Sequence, residues 1–163
     1  MRNSRNYRFN REYIIPSFLL FLMLLSNSCH PLFCNWDSGY EQLTELSQKD
    51  TIVGEYRLTK QSTEYLKKQG YSENCKLKLL ETGEYEIINA PDLIFGNSEK
   101  NKGKTINAKG KWFSSCAESY DCMLELERIA VIPIARKNNG AISLLMTIGD
   151  GDECEGIIFE RVD

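Results

Sequence analysis

The chain has 163 residues, of which 42% are hydrophobic and 26% charged, and this composition suits one globular domain with a targeting segment. Its formal net charge of −3 argues against the strongly basic surface that nucleic-acid binding requires. The only histidine is His30, near the N-terminus, so Ser–His–Asp and Cys–His catalysis are strongly disfavoured. We therefore expect no catalytic residue and no enzymatic activity. A Cys–Lys mechanism and a mechanism that uses carboxylates alone are the remaining enzymatic alternatives.

The first 29 residues combine a basic head, an apolar centre and small residues before a cysteine, as secretory signals do. The apolar run Ile14–Leu25 is shorter than the roughly 20 residues that a permanent transmembrane helix needs. Ser28 directly before Cys29 resembles the lipobox of bacterial lipoproteins, although Ser26 stands where that pattern usually has leucine. We predict a signal peptide at 1–28 and a lipid on Cys29, which would anchor an exported protein to a membrane of the bacterial cell envelope. Ordinary signal cleavage nearby and an uncleaved anchor are the alternatives.

Residues 29–50 show no sustained periodicity, and we interpret them as a tether that leads into the fold. Leucines at helical spacing favour a short helix over residues 41–48, and Trp36 is expected to pack back onto the domain. The folded domain is predicted to occupy 51–163.

The domain begins with a predicted strand over Ile52–Leu58 and a short helix over Ser62–Lys68, which Gly70 ends. Apolar and charged residues then alternate through Cys75–Ile88 on both sides of a break at Glu81–Gly83. This pattern predicts a β-hairpin with one buried face and one face in solvent.

The rest of the chain predicts further strands after a loop at 93–106, with Pro91 expected to end the hairpin. Their ranges are Ala108–Ser114, Cys122–Glu127 with an extension through Ile134, Ile142–Ile148 and Gly156–Val162. The expected fold is all-β, an antiparallel meander barrel or sandwich of about seven to eight strands, with one short helix between the first and second strands. Glu125 and Glu127 are expected to share a solvent-facing row.

Short motifs follow one another in order along the domain: Val-Gly-Glu-Tyr 53–56, Gly-Glu-Tyr-Glu 83–86, Asn-Ala-Pro-Asp 89–92, Gly-Lys-Trp 110–112, Thr-Ile-Gly-Asp-Gly-Asp 147–152 and Gly-Ile-Ile-Phe-Glu-Arg 156–161. This layout resembles a family of small exported bacterial proteins with a lipocalin-like barrel domain, over residues 51–163. The resemblance implies a fold and supplies no catalytic residue. The cysteines lie outside the pattern of that family.

Six cysteines in a chain of this length favour an oxidising compartment, because the paired spacing of zinc ligands is missing. We predict a disulfide between Cys116 and Cys122 across a hairpin mouth, where the small loop would stabilise by about 2 kcal/mol. A second disulfide is predicted between Cys75 and Cys154, where the longer loop would stabilise by about 4 kcal/mol. Cys34 is then left over. Alternatively, Cys75 and Cys122 are buried thiols.

Two candidate binding sites emerge, and neither requires a cofactor. A small barrel can enclose an apolar ligand, and its cavity would be lined by Tyr56, Tyr85, Trp112, Met146 and Phe159; these residues are also what a plain core would contain. Four carboxylates, Asp150, Asp152, Glu153 and Glu155, offer a weak calcium site whose spacing does not match an EF-hand, and an exposed acidic turn is the simpler interpretation.

The leading functional hypothesis is a lipocalin-like module of the cell envelope that binds a small apolar ligand. The alternative is an inhibitor of, or interaction protein for, an extracellular hydrolase, since small disulfide-bonded barrel lipoproteins that inhibit lysozyme resemble this layout. An enzyme that uses only carboxylates comes third. The expected partners are a membrane, through the lipid, and either a small ligand or an envelope protein, but no nucleic acid.

Overall fold

The computed structural model describes residues 35–47, 51–72, 74–95, 104–116, 121–149 and 154–162. Within these ranges the chain forms nine strands, one α-helix and one 3-10 helix. In chain order these are β1 (Tyr40–Gln42), β2 (Gly54–Leu58), α1 (Lys60–Lys68), β3 (Lys76–Leu79), β4 (Glu84–Pro91), the 3-10 helix (Asp92–Phe95), β5 (Thr105–Ser115), β6 (Met123–Leu126), β7 (Ala130–Lys137), β8 (Ile142–Thr147) and β9 (Gly156–Val162).

The strands close into an antiparallel barrel. Their order in the sheet is β1-β7-β6-β5-β4-β3-β2-β9-β8, and β8 also pairs with β7, so that β2 to β9 form a closed ring of eight strands. Closure decides between the two architectures that the sequence allowed, because a sandwich would leave two sheets with open edges. The predicted all-β antiparallel barrel, with one short helix after its first strand, is confirmed.

The central hairpin positions the core as its two-residue periodicity predicts. Leu77 and Leu79 on β3 lie opposite Ile87 and Tyr85 on β4, and all four side chains are buried. Lys76 and Lys78, which alternate with these leucines, are exposed. Burial of these aliphatic side chains contributes roughly 1.5–3 kcal/mol each to folding, so the hairpin is a main element of the interior.

Helix α1 packs against the barrel through a buried serine. Thr59 caps the helix by accepting a hydrogen bond from the Ser62 backbone N–H at 3.2 Å. The Ser62 hydroxyl oxygen in turn accepts from the Ile158 N–H of β9 at 2.8 Å. Leu66, on the same face of the helix, is fully buried in the interior.

Strand β1 lies in a segment that the sequence analysis assigned wrongly to a tether and a helix. Tyr40 pairs with Lys137 and Gln42 with Ala135, on the edge of β7 whose earlier residues pair with β6. Pairing with a strand almost 100 residues away leaves no local signal, and it overrides the weak helical spacing of the leucines. Residues 35–42 are therefore part of the barrel domain.

The segment from residue 122 to 134 is two strands rather than one extended strand. Arg128 adopts a left-handed backbone with φ of 66°, and the Ile129 N–H donates to the Leu126 carbonyl oxygen at 2.9 Å, so the chain reverses between β6 and β7. The sequence showed no glycine or proline there, and the turn was therefore missed. Of the two glutamates predicted to face solvent, Glu125 is exposed on β6 and Glu127 is half-buried in this turn.

The end of β4 also differs from the prediction. The strand continues to Pro91, which pairs with Thr105, after a register shift between Ile87 and Ala90 with Asn89 at φ of 54°. Such a bulge bends a strand without ending it. The first residues of the predicted loop form the 3-10 helix, and the loop's residues 96–103 lie outside the described ranges.

Apolar side chains form two separate clusters, one inside and one outside the barrel. The interior cluster combines inward-facing residues of β2 to β9 with Leu66 of α1. The outer cluster consists of Ala135, Leu145 and Ile158 on β7, β8 and β9. Trp36 and Tyr40 pack over it, as predicted for Trp36.

Among the described residues, no helix combines the length and the apolar character that crossing a membrane would require.

Candidate functional site

The five residues predicted to line a ligand cavity all belong to the interior cluster. Tyr56 and Phe159 have no exposed surface, Tyr85 and Met146 are each about 3% exposed, and Trp112 is half-buried at the margin. The structure therefore brings the five residues together, as the alternation of the strands implied.

The polar groups of this set are bound by the protein's own backbone. The Tyr56 hydroxyl donates to the Ile52 carbonyl oxygen at 2.7 Å, and burial raises the pKa of Tyr56. The Trp112 indole N–H donates to the Leu80 carbonyl oxygen at 3.0 Å. These side chains are oriented as structural core residues, with their donors satisfied and not directed at a ligand.

Side chains fill the middle of the barrel. Tyr56, Leu77, Ile87, Leu144 and Phe159 come from five different strands, and each has 0% exposed surface. A side chain with no accessible surface borders no space that a water molecule could occupy. An eight-stranded barrel is just wide enough for its own side chains to fill it, and at these positions they do.

One cleft lies at the margin of this core, beside Tyr85. It has a volume of about 400 Å³, and its lining residues come from β4, β5 and the turns before β4 and after β6: Leu80, Glu84, Tyr85, Glu86, Lys109, Gly110, Lys111 and Glu127. Gly110 lies opposite Tyr85 in the register, and a Cβ atom there would lie 2.7 Å from the ring. The Tyr85 hydroxyl donates to the Glu127 carbonyl oxygen at 2.9 Å, and burial raises the pKa of Tyr85.

Three charged side chains of the cleft are engaged with their neighbours. Lys109 lies 2.7 Å from a Glu86 carboxylate oxygen, and this pairing raises the pKa of Lys109. The Glu127 carboxylate accepts from the Lys111 backbone N–H at 3.2 Å.

The cysteines confirm one predicted disulfide and exclude the other. Cys116 and Cys122 are bonded, with their Cα atoms 4.1 Å apart. Cys75 is a buried free thiol, and burial raises its pKa to about 12, so the predicted bond to Cys154 is wrong. The physical reason is that β2 lies between β3 and β9, so two strand spacings, roughly 10 Å, separate these strands. The register adds an offset along the strands, because Lys76 and Glu160, and not the residues next to Cys154, both pair with Arg57. Cys154 is disulfide-bonded to a partner outside the described residues.

The remaining predicted sites lie largely outside the described part of the chain. This holds for Cys29 and for three of the four calcium candidates: Asp150, Asp152 and Glu153. Glu155 is described, and its carboxylate accepts a hydrogen bond from the Tyr65 hydroxyl of α1 at 2.6 Å. Across the described ranges, no group of three or more His, Cys, Asp or Glu side chains is placed to hold a metal ion.

A polar cluster that the sequence analysis missed borders the outer apolar cluster. The Tyr40 hydroxyl donates to a Glu160 carboxylate oxygen, and the Lys137 ammonium lies 2.6 Å from the same oxygen and 5.6 Å from the centre of the Tyr40 ring. Burial, followed by the hydrogen bond to Glu160, raises the pKa of Tyr40 to about 12. Burial opposes ionisation of Glu160, but its bonds with Lys137 and Tyr40 outweigh that effect and lower its pKa. This cluster connects strand β1 with strand β9.

The outer wall thus has two apolar regions. We call Ala135, Leu145 and Ile158, beneath Trp36 and Tyr40, the covered face. The second region lies on β5, β6 and β7. Phe113 of β5 and Val131 of β7 are 57% and 59% exposed, and Glu125 of β6 lies between them. We call Phe113, Glu125 and Val131 the open face.

Comparison with protein-family models, with curated proteins and with solved structures finds no match for this chain. The closed eight-stranded barrel with its short helix is compatible with a lipocalin-like ligand-binding module.

Proposed function

We propose that this protein is a non-enzymatic binding module of the bacterial cell envelope, exported by residues 1–28 and held at a membrane through a lipid on Cys29. The basic, apolar and small-residue segments that precede Cys29 support this proposal. The Cys116–Cys122 disulfide supports export as well, because such bonds persist in oxidising compartments.

The module binds a protein partner through the outer wall of the barrel. The observation that carries this choice is the filled interior, where side chains from five strands have no accessible surface. A barrel whose middle is occupied by its own core leaves its wall and its loops for recognition. This is the role of an inhibitor or interaction protein, whose partner would be an extracellular hydrolase or another envelope protein.

A small apolar ligand is the second candidate, and the cleft beside Tyr85 is the observation that favours it. Its volume of about 400 Å³ lies within the range of roughly 300–1,000 Å³ that small-molecule sites occupy. Gly110 lets the Tyr85 ring pack closely on β5 at the edge of this cleft, and Leu80 and Tyr85 are the apolar side chains among its lining residues. In this role the protein would be a lipocalin-like carrier with its site at one end of the barrel.

Native mass spectrometry of the full chain, purified in mild detergent from its own cells, tests both roles at once. We expect a lipid-modified Cys29 and a retained protein subunit. A retained small molecule that Tyr85→Ala releases would instead support the carrier. An unmodified Cys29 would contradict the lipid anchor, and Cys29→Ser serves as the matched control for membrane retention.

The disulfide pattern gives an independent test of the anchor. Cys116 and Cys122 are bonded to each other and Cys75 is a thiol, so a lipid on Cys29 leaves Cys34 as the only cysteine available to Cys154. Peptide mapping under non-reducing conditions should then find Cys34 linked to Cys154. A Cys29–Cys154 link would contradict the anchor, because one sulfur cannot carry both bonds.

A further inference from the structure

The open face is a row of side chains in register across three neighbouring strands. Phe113 of β5 is paired with Glu125 of β6, and Glu125 is paired with Val131 of β7. Directly paired side chains have Cβ atoms about 5 Å apart, so the phenyl ring and the valine flank the carboxylate. The next outward row, Ser115, Met123 and Pro133, continues the surface in the same register, and Met123 and Pro133 are half-buried.

Exposure of this extent is unusual for two large apolar residues that lie in one row and flank the same residue. Single exposed apolar residues are normal on soluble proteins, whereas contiguous patches mark interaction sites. Here the two most exposed large hydrophobic side chains among the described residues lie in one row. Aromatic residues and methionine are also the types that interface centres favour.

The wall beneath the open face is crosslinked and well packed, which lowers the entropy that binding would cost. The Cys116–Cys122 disulfide joins the chain directly after β5 to the chain directly before β6. Beneath the row, Leu124, Leu126 and Ile132 are fully buried in the interior cluster. The open face is therefore presented by a crosslinked, packed three-stranded surface, and a partner would not have to order it.

The charge on the open face identifies the partner's chemistry. Among the described residues, no hydrogen bond or ion pair engages the exposed Glu125 carboxylate. The row on the other side of Phe113 carries Lys111 and Glu127. The Glu127 carboxylate accepts from the Lys111 backbone N–H and lies 3.9 Å from the Arg128 guanidinium, so of the two described carboxylates here only Glu125 has no such contact. A second copy of the chain placed symmetrically over this row would bring two Glu125 carboxylates together, and like charges at an interface are disfavoured.

We propose that the open face docks a cationic protein that inserts a lysine or arginine side chain between Phe113 and Val131, with its charge on Glu125. The net charge of −3 on the whole chain favours encounter with such a partner. This inference rests on the proposed function and specifies the part of the wall that acts and the class of protein that it binds. An Arg or Lys stem packs on apolar surface while its charged head reaches a carboxylate, which matches the geometry of this row.

Site-specific photocrosslinking in native cells tests the proposal. The full chain is produced with the photoreactive residue benzoylphenylalanine in place of Phe113, which keeps an aromatic ring at that position. We expect a light-dependent adduct with a protein of net positive charge. The same adduct is expected when the photoreactive residue replaces Val131, whereas replacement of Val162, which is 41% exposed on β9, should give none.

Charge reversal distinguishes docking at Glu125 from nonspecific proximity. Adding Glu125→Lys to the photoreactive chain should abolish the adduct, whereas Glu81→Lys, at an exposed turn position, should leave it intact. With the purified partner, Glu125→Lys should weaken binding about tenfold or more and Glu125→Gln about threefold, and added salt should weaken binding to the wild-type chain.

The proposal is overturned if the adduct persists with Glu125→Lys, if the crosslinked protein is acidic or a second copy of this chain, or if no adduct forms at 113 or 131. If native mass spectrometry finds a retained protein partner together with any of these results, docking at the open face is overturned and the proposed function still stands. If no partner is retained and no adduct forms, the inference and the proposed protein-binding role fail together.

Discussion

The covered face and the open face are two apolar regions on the same outer wall, and they differ in whether the protein supplies its own cover. Ala135, Leu145 and Ile158 are at most 2% exposed beneath the segment that carries Trp36 and Tyr40. Phe113 and Val131, by contrast, each expose more than half of their surface. The comparison shows that this wall can accept a second layer, and that residues 35–42 provide that layer on one side only.

The covered face also shows which groups the open face lacks. At its border the Glu160 carboxylate is met by the Lys137 ammonium and by the Tyr40 hydroxyl. Glu125 has the same chemical character and has no such contact within the described part of the chain. A partner that brings one cation and apolar surface would therefore complete the open face with the same types of group that complete the covered face.

The largest expected effect is loss of the cover, which Trp36→Ala produces. We expect the free energy of unfolding to fall by about 3 kcal/mol, at the low end for a large aromatic residue because Trp36 keeps some exposure. Urea unfolding followed by far-ultraviolet circular dichroism measures it, and Trp36→Phe should recover most of the loss. A loss below about 1 kcal/mol would show that the cover contributes little and that the two faces are alike.

The next effect concerns the close approach of Trp36 to β9. A Cβ atom at Gly156 would lie 2.6 Å from three atoms of the indole ring, so Gly156→Ala must displace the ring and should cost about 2 kcal/mol. Combining it with Trp36→Ala is the matched control, because the added methyl group then meets no ring and most of this cost should disappear. Additive losses in the double variant would contradict the contact.

A smaller effect is a pH dependence of the free energy of unfolding, which comes from Glu160 and Tyr40 at the border of the covered face. The pKa of Glu160 is lowered in the folded state, so its contribution is present above its ordinary value of 4.5 and is lost as the pH falls below it. The Tyr40 pKa is raised from 10.0 to about 12, so its contribution is present below pH 10 and is lost between pH 10 and 12.

Glu160→Gln should therefore reduce the free energy of unfolding at pH 7 by about 1 kcal/mol, since the pair is only partly buried. The difference between wild type and variant should shrink as the pH is lowered from 5 to 3. Unfolding curves across this range measure it, with Glu155→Gln as a control at another tyrosine–carboxylate bond. A difference that stays constant with pH would contradict this account.

The smallest effect is expected on the open face. Phe113→Ser and Val131→Ser should each change the free energy of unfolding by less than about 0.5 kcal/mol, because exposed side chains contribute little to folding. The same urea measurement applies, with Trp36→Ala as the reference for a covered residue. A loss comparable to that of Trp36→Ala would mean that the open face is covered in the folded protein.

The sequence predicted the barrel where the periodicity is local. Cys75–Ile88 alternates on both sides of a turn that contains a glycine, and the structure has the expected hairpin there. The β6–β7 turn was missed because Arg128 adopts a positive φ that its residue type does not announce. The predicted Cys75–Cys154 bond failed because strand order, which separates the two cysteines by β2, cannot be read from spacing along the chain.

The second layer did leave a signal in the sequence. In β8 the run Ile142–Met146 and in β9 the run Gly156–Phe159 are buried at every position, and both are continuous where a barrel wall in water would alternate. Leu145 and Ile158 are the apolar residues on the outward side of these runs. Packing of Trp36 onto the domain was predicted, but its position over β7 to β9 and the role of Tyr40 were not, because the segment 35–42 carries no periodic pattern and contacts strands far along the chain.

The rate at which the buried Cys75 thiol is alkylated reports how often the barrel opens locally. Alkylating reagents react with a thiolate, and Cys75 is 2% exposed with a pKa raised to about 12, so at neutral pH it reacts only after the start of β3 separates from its neighbours. The other cysteines of the described residues are held in disulfides. The labelling rate of Cys75 therefore measures how often the central hairpin opens, in the wild-type chain and without any added dye.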